Sequence, residues 1–215
     1  MSNLQWKRDM LKIWGRVNSI NVQKVMWAVG ELALPHERVN AGMQYGLVDE
    51  TWYRAMNPNG RVPTIEDDGF VLWESNAIVR YLARKYGEGS VAPEAAETAA
   101  SADRWMDWAT TTMAPLMTTL FWGYVRTAED KRDLKALNES RLQMEPVMAI
   151  LDANLAMRSF MAGDQFTMGD IPAGCFVHRW FALPMERGHH PHVAAWYERL
   201  SKRAAYRQHV MMSLT

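Results

Sequence analysis

The chain has a single cysteine, Cys175, among 215 residues, so no internal disulfide can form. One lone thiol suits a reducing compartment, and a cytoplasmic location is the expectation. Charge of either sign is not in excess: Lys plus Arg and Asp plus Glu each total 24. That balance removes any bulk electrostatic case for nucleic acid or an anionic membrane as partner. Long apolar runs are missing too, since stretches such as VMWAVGELAL are too short to span a bilayer. The opening MSNLQWKRDM has no apolar core and no small-residue cleavage site, so no signal peptide is expected. There is no internal repeat and no low-complexity tract. What the chain has in plenty is tryptophan (10) and methionine (16). Both fill cores, and both can line an adaptable apolar pocket. The length allows one large domain or two small ones.

Two regimes follow one another along the chain. Residues 1–9 read as an extension, with the fold beginning at Met10. Met10 to Trp14 is a short apolar run stopped by Gly15, a buried strand. Val22, Val25, Met26 and Val29 then fall on one helical face. A second strand is expected around Glu37 to Asn40, followed by a Gly-containing loop to Tyr53. Asn57-Pro58-Asn59-Gly60 is turn chemistry. Val62 to Glu66 and Phe70 to Trp73 read as a hairpin closed by Asp67-Asp68-Gly69. Ala77, Ile78, Tyr81, Leu82 and Lys85 share a helix face ending at Gly87. This β-α-β, hairpin, α order spells a compact α/β sandwich over 10–87. After a linker at 88–93 the strand signals stop, and 94–215 reads as all-helical. Trp105, Ala109, Met113, Leu116 and Leu120 form one stripe, with a kink expected at Pro115. Leu134, Leu137, Met144, Val147, Leu151 and Leu155 form another. Two more helices are expected, from Thr167 to about Leu183 and from Pro191 to about Arg203.

Three short segments carry possible chemistry. Val62-Pro63 enters a strand directly after a turn, which suits either a cis peptide bond or a plain edge-strand proline. In the cis form the backbone of Val62 would be turned outward to pair with an extended peptide. Glu74-Ser75 sits where a strand passes into a helix, suited to a carboxylate ligand or to ordinary capping. Ser19-Ile20-Asn21 stands at the first strand-to-helix passage, where a hydroxyl or amide beside a helix N-terminus favours an anion or again caps the helix.

The segment GRVPTIEDDGFVLWESNAIVRYLARKYG resembles the glutathione-site segment of glutathione transferases, in which V-P and E-S pairs bracket a hairpin. SINVQKV is similar to the first helix of that family's serine-type branches. FTMGDI, with Thr167 and Asp170, resembles its capping box and buried Asp, which matches the physical reading of T-x-x-D at a helix start. HPHVAAWYERLSKRAAY resembles the last helix, so the likeness runs from Met10 to about Val210. The resemblance implies a thioredoxin-like N-terminal domain, an all-α C-terminal domain and a homodimer. It implies that Val62 and Pro63 present backbone to the cysteinyl part of glutathione, and that Glu74 and Ser75 hold its γ-glutamyl end. Arg61 would lie near the glycyl carboxylate, and Ser19 or Asn21 would donate a hydrogen bond to the sulfur. Glutathione would be a co-substrate, with no bound cofactor, and the partner a small hydrophobic electrophile meeting a wall that includes Trp14, Met113 and Trp122.

Other readings stay open at this point. The same site could serve a glutathione-dependent peroxidase, isomerase or dehalogenase, or the fold could be a non-catalytic interaction module. The first helix starts without a cysteine, so disulfide exchange through the protein's own thiol is not expected, and Cys175 reads as buried and structural. His189, His190 and His192 lie in a turn without a matching ligand pattern, and no metal is expected. Asp103 and Asp107 read as a solvated or subunit-facing helix surface, from which an Asp could reach a partner's glutathione.

Overall fold

A computed structural model describes residues 10–215. The extension expected at 1–9 lies outside the described residues. Strand β1 (Leu11–Trp14) leads into helix α1 (Ile20–Glu31), and β2 (His36–Val39) returns parallel to β1. Helix α2 (Thr51–Met56) precedes the hairpin β3 (Thr64–Asp67) and β4 (Phe70–Trp73). The sheet order is β2-β1-β3-β4, with β3 antiparallel to both neighbours. In the hairpin turn Asp68 and Gly69 both take positive φ, 52° and 81°, as a two-residue turn between twisted strands requires. Helix α3 (Ser75–Tyr86) packs on the sheet beside α1.

The α/β half is tied together at one carboxylate. Asp67, at the end of β3, accepts hydrogen bonds from Tyr81, Lys85 and Tyr86 on α3. Burial works to raise its pKa, but the Lys85 ammonium and the two phenols outweigh that, and the pKa is lowered.

The second half is helical: α4 (Ala96–Trp108), α5 (Ala114–Phe121), α6 (Leu134–Ala156), α7 (Asp170–Ala182), α8 (Pro191–Ser201) and α9 (Ala204–His209). From Ala96 to Arg126 the chain is helical throughout, with wide π turns at Ala109–Met113 and Trp122–Arg126. The kink expected at Pro115 takes this form. The proline sits in the first turn of α5, directly after a π turn, where its missing N–H breaks the ladder least. The α6 stripe holds from Leu137 to Leu155, but Leu134 is exposed, because the first turn of α6 extends past the core. The stretch up to Tyr53, read as loop, contains α2, whose six residues are too few for a periodic signal.

Asp170 opens α7 and is wholly buried. It accepts from the backbone N–H of Met161 and Thr167 and from the Trp196 indole, and Thr167 Oγ1 in turn accepts from the Gly169 N–H. Burial pushes its pKa up to about 6, against the pull of those donors and the more distant Arg203. Trp27 of α1 packs on Tyr206 and Phe166, joining the helical half to the sheet layer in one core. No helix among the described residues is long and apolar enough to cross a membrane.

Candidate functional site

The site is built where β1 hands the chain to α1. A Cβ on Gly15 would collide with Val22, so glycine is what allows so tight a passage against the helix. Arg16, Asn18 and Ser19 follow. Ser19 occupies the position before α1 with an extended backbone (φ −82°, ψ 122°), yet its side chain makes no capping hydrogen bond. Nor does any side chain cap α3, whose preceding residue Glu74 is held at φ 71°. Ordinary capping therefore does not account for Ser19 or Ser75. The orphan N–H groups at the start of α1 are left for a partner outside the helix.

Ser75 Oγ instead donates across to Asn21 Oδ1 at 3.3 Å, and Lys24 Nζ donates to the same oxygen at 3.1 Å. With its oxygen engaged twice, Asn21 keeps its amide N–H groups for other contacts. Lys24 is only 2% exposed and lies 5.0 Å from the Phe176 ring centre. Burial lowers its pKa to about 8, reinforced by Arg179 and opposed by Cys175 and Glu74. Cys175 is buried, and burial pushes its thiol up to about 12 although Lys24 and Arg179 pull it down. Such a thiol is inert at neutral pH.

Opposite α1, the chain before β3 is locked from behind. Tyr53 Oη and Asn57 Nδ2 both donate to the Arg61 carbonyl, and both pair with Thr64 Oγ1. Val62-Pro63 is a cis peptide bond, the first of the two readings of that pair.

A cavity of about 440 Å³ opens between these segments and the helical half, within the roughly 300–1,000 Å³ usual for small-molecule sites. Ser19, Asn21, Arg61 and Val62 line it, as does Trp122. Glu74 and Ser75 stand beyond its lining, linked to it by the Ser75–Asn21 bond. Two expected wall residues do not reach it. Trp14 is buried with Ala41 and Tyr53 and meets Trp52 at a tilt, and Met113 is wholly buried in the main core. Both side chains turn into core clusters rather than toward the cavity.

Sequence reasoning missed the other charged lining residues. Arg16, Arg126 and Arg179 face the same space, together with Phe121, and no Asp or Glu among the described residues lines it. Arg179 is 6% exposed and sits over the Phe121 ring at 3.8 Å, with Arg126 at 5.8 Å from the same ring. Burial lowers the Arg179 pKa to about 10, Cys175 opposing and Arg126 and Arg16 adding to the fall. Arg16 is lowered likewise by burial and by Arg126. Asn18, also in the lining, donates to the backbone oxygen and the hydroxyl of Thr215.

Two features singled out in the sequence belong elsewhere. Asp103 and Asp107 keep some solvent exposure but are paired: Arg80 of α3 bonds both, and Arg84 bonds Asp103. His190 pairs with Glu145 at 2.9 Å, and Glu145 also accepts from the Gly188 N–H, so this turn is pinned to α6.

Comparison with known proteins gives this geometry its context. Residues 10–84 match the family described as glutathione S-transferase, N-terminal domain, and residues 112–204 match glutathione S-transferase, C-terminal domain. Glutathione S-transferase GstB of Escherichia coli strain K12 is 39% identical, over 96% of this chain and all of that protein. Glutathione S-transferase 3 of Zea mays is 31% identical, over 93% of each. A theta class glutathione S-transferase from Xanthomonas axonopodis pv. citri, solved with glutathione bound, superposes with a TM-score of 0.92 at 46% identity, covering 95% of this chain and 99% of that one. With both domains matched in order and Ser19, Asn21 and Val62 facing one cavity, the chain belongs to the glutathione S-transferase family.

Proposed function

We propose that this glutathione transferase binds reduced glutathione along its α/β wall and passes the thiolate to an electrophile held against the helical wall. In this reading residues 10–87 are the glutathione-binding unit and 94–215 supply the electrophile side. The backbone at Val62-Pro63 pairs with the cysteinyl residue. Glu74 and Ser75 take the γ-glutamyl amino and carboxylate groups, and Arg61 the glycyl carboxylate. A free thiol titrates near about 8.5, and only its anion is a strong nucleophile. A hydrogen bond from Ser19 or Asn21, with the positive end of α1, lowers that value and raises the thiolate fraction at neutral pH. The electrophile, small enough for the cavity, rests on Phe121 and Trp122. A cytoplasmic homodimer acting in detoxification is the setting we propose for it.

The observation that carries this reading is that Ser19 and Asn21 both line the cavity while neither is used up in capping α1. The test is calorimetric titration of reduced glutathione into the protein, with turnover of 1-chloro-2,4-dinitrobenzene followed in parallel. Saturable binding with turnover is the expected result. Absence of binding by the folded protein would sink the reading.

A further inference from the structure

Among the described residues four arginines line the cavity, Arg16, Arg61, Arg126 and Arg179, and no Asp or Glu side chain does. None of the four forms an ion pair among the described residues. Elsewhere some partly buried arginines do find a carboxylate, as Arg203 with Glu31 and Arg80 with Asp103. Arg179 is more than nine-tenths buried; its Nη2 donates to the Asn18 carbonyl at 3.4 Å, but its Nε has no hydrogen-bond partner, and Arg16 Nε has none either. Guanidinium groups drawn out of water and set beside one another are costly unless an anion completes them.

Glutathione, on the reading above, does not supply that anion. Its two carboxylates are taken by the α/β wall, at Glu74-Ser75 and at Arg61. Arg126 and Arg179 belong instead to the helical wall, at the π turn after α5 and on α7. Arg179 lies over the Phe121 ring and Arg126 near it, beside the exposed Trp122, the apolar surface against which the second substrate would lie.

We propose that the electrophile carries a carboxylate, held by Arg126, Arg179 and Arg16 while its reactive carbon faces the sulfur. The proposal rests on the transferase reading and sharpens it: the second substrate is an acid with a flat or short apolar body, not a neutral hydrophobe. In the step itself the thiol proton has gone to solvent. The thiolate sulfur forms a bond to the carbon bearing the leaving group, and halide departs with the pair of the broken bond. The arginines take no part in the electron movement. They hold the carboxylate by charge-assisted hydrogen bonds, bidentate where the fork is free.

The test compares 4-chloro-3,5-dinitrobenzoate with 4-chloro-3,5-dinitrobenzamide, each rate divided by its uncatalysed reaction with glutathione. The acid is expected to show kcat/KM at least about tenfold above the amide, a ratio that falls as salt rises. In Arg126→Gln the acid-to-amide ratio is expected to drop about tenfold, and Arg16→Gln, on another element, serves if that variant is poorly folded. A wild-type ratio of one or less overturns the proposal. So does an unchanged ratio in Arg126→Gln with a raised KM for glutathione, which would assign these arginines to the peptide. Failure of glutathione to bind at all removes the transferase reading, and this inference with it. Intact glutathione binding without acid preference removes only the inference.

Discussion

The two walls of the cavity are made by different means. The α/β wall consists of chain passages: Ser19 and Asn21 where β1 enters α1 and Val62 before β3, with Ser75 behind them, bonded to Asn21 where β4 enters α3. Apart from Arg16 and Arg61, its donors are backbone groups and short polar side chains close to the backbone. The helical wall consists of long side chains, Trp122, Arg126 and Arg179, reaching in from a π turn and from α7. A surface built from backbone recognises a constant ligand, whereas one built from side chains can change from one family member to the next. The first suits the shared thiol peptide and the second the electrophile. Each wall also stands on one carboxylate of opposite electrostatic character. Asp67 holds α3 to the sheet through an ammonium and two phenols. Asp170 holds α7 through N–H donors in the dry interior.

The contrast is open to breaking, and the largest effect is expected at Asp170. Asp170→Ala strands three buried donors and is expected to cost about 3–5 kcal/mol of unfolding free energy in denaturant titration. Because the folded pKa, about 6, lies above the unfolded value near about 4, the carboxyl's contribution is full at low pH. It is lost as pH rises between those values, so the wild type's advantage over Asp170→Ala should be larger at the acid end of that window. An advantage that grows toward neutral pH instead would show that the donors, not burial, dominate.

Next in size come the two sulfur candidates. Ser19→Ala is expected to lower kcat by about a hundredfold with little change in KM for glutathione. Asn21 also receives Ser75 and Lys24, so Asn21→Ala should raise KM for glutathione as well as lower kcat. Steady-state kinetics separate the two, and a Ser19→Ala enzyme with full turnover would move the sulfur's donor to Asn21.

Asp67→Asn is expected to cost about 1–2 kcal/mol, less than Asp170→Ala, since Lys85 is partly in solvent. Here the folded pKa is lowered, so the stabilisation is present above the unfolded value of about 4 and is lost as pH falls through the folded one. The variant should flatten the acid limb of a pH–stability profile. The smallest effect on stability is expected from Lys24→Met. It removes a buried ammonium whose pKa is lowered to about 8, so the unfolding midpoint should hold or rise. Catalysis should weaken because Asn21 loses one of its two anchors. A lower midpoint would mean that the ammonium is a net stabiliser of α1.

How much of this was legible in the sequence differs between the walls for the same reason. The strands β1 and β4, the α1 face of Val22, Val25, Met26 and Val29, and the turn at Asp68-Gly69 are local patterns that the chain displays within a few residues. So are Ser19-Ile20-Asn21 and Val62-Pro63, whose place at a strand-to-helix or turn-to-strand passage follows from neighbours alone. Leu134 and α2 were misread because the end of a stripe and a six-residue helix carry too little periodicity. Trp14 and Met113 were misplaced because an aromatic or methionine on an apolar face gives no sign whether it meets core or cavity.

By itself, then, the sequence determined the order of elements, the two-part division and the backbone-borne face of the site, all of which depend on interactions between near neighbours. Only the tertiary structure decided that Arg16, Arg126 and Arg179, far apart along the chain, share one cavity without a carboxylate among them. It also decided that Ser75 reaches Asn21 across 54 positions. Such meetings are set by how helices pack on a sheet, and no spacing within the chain encodes them.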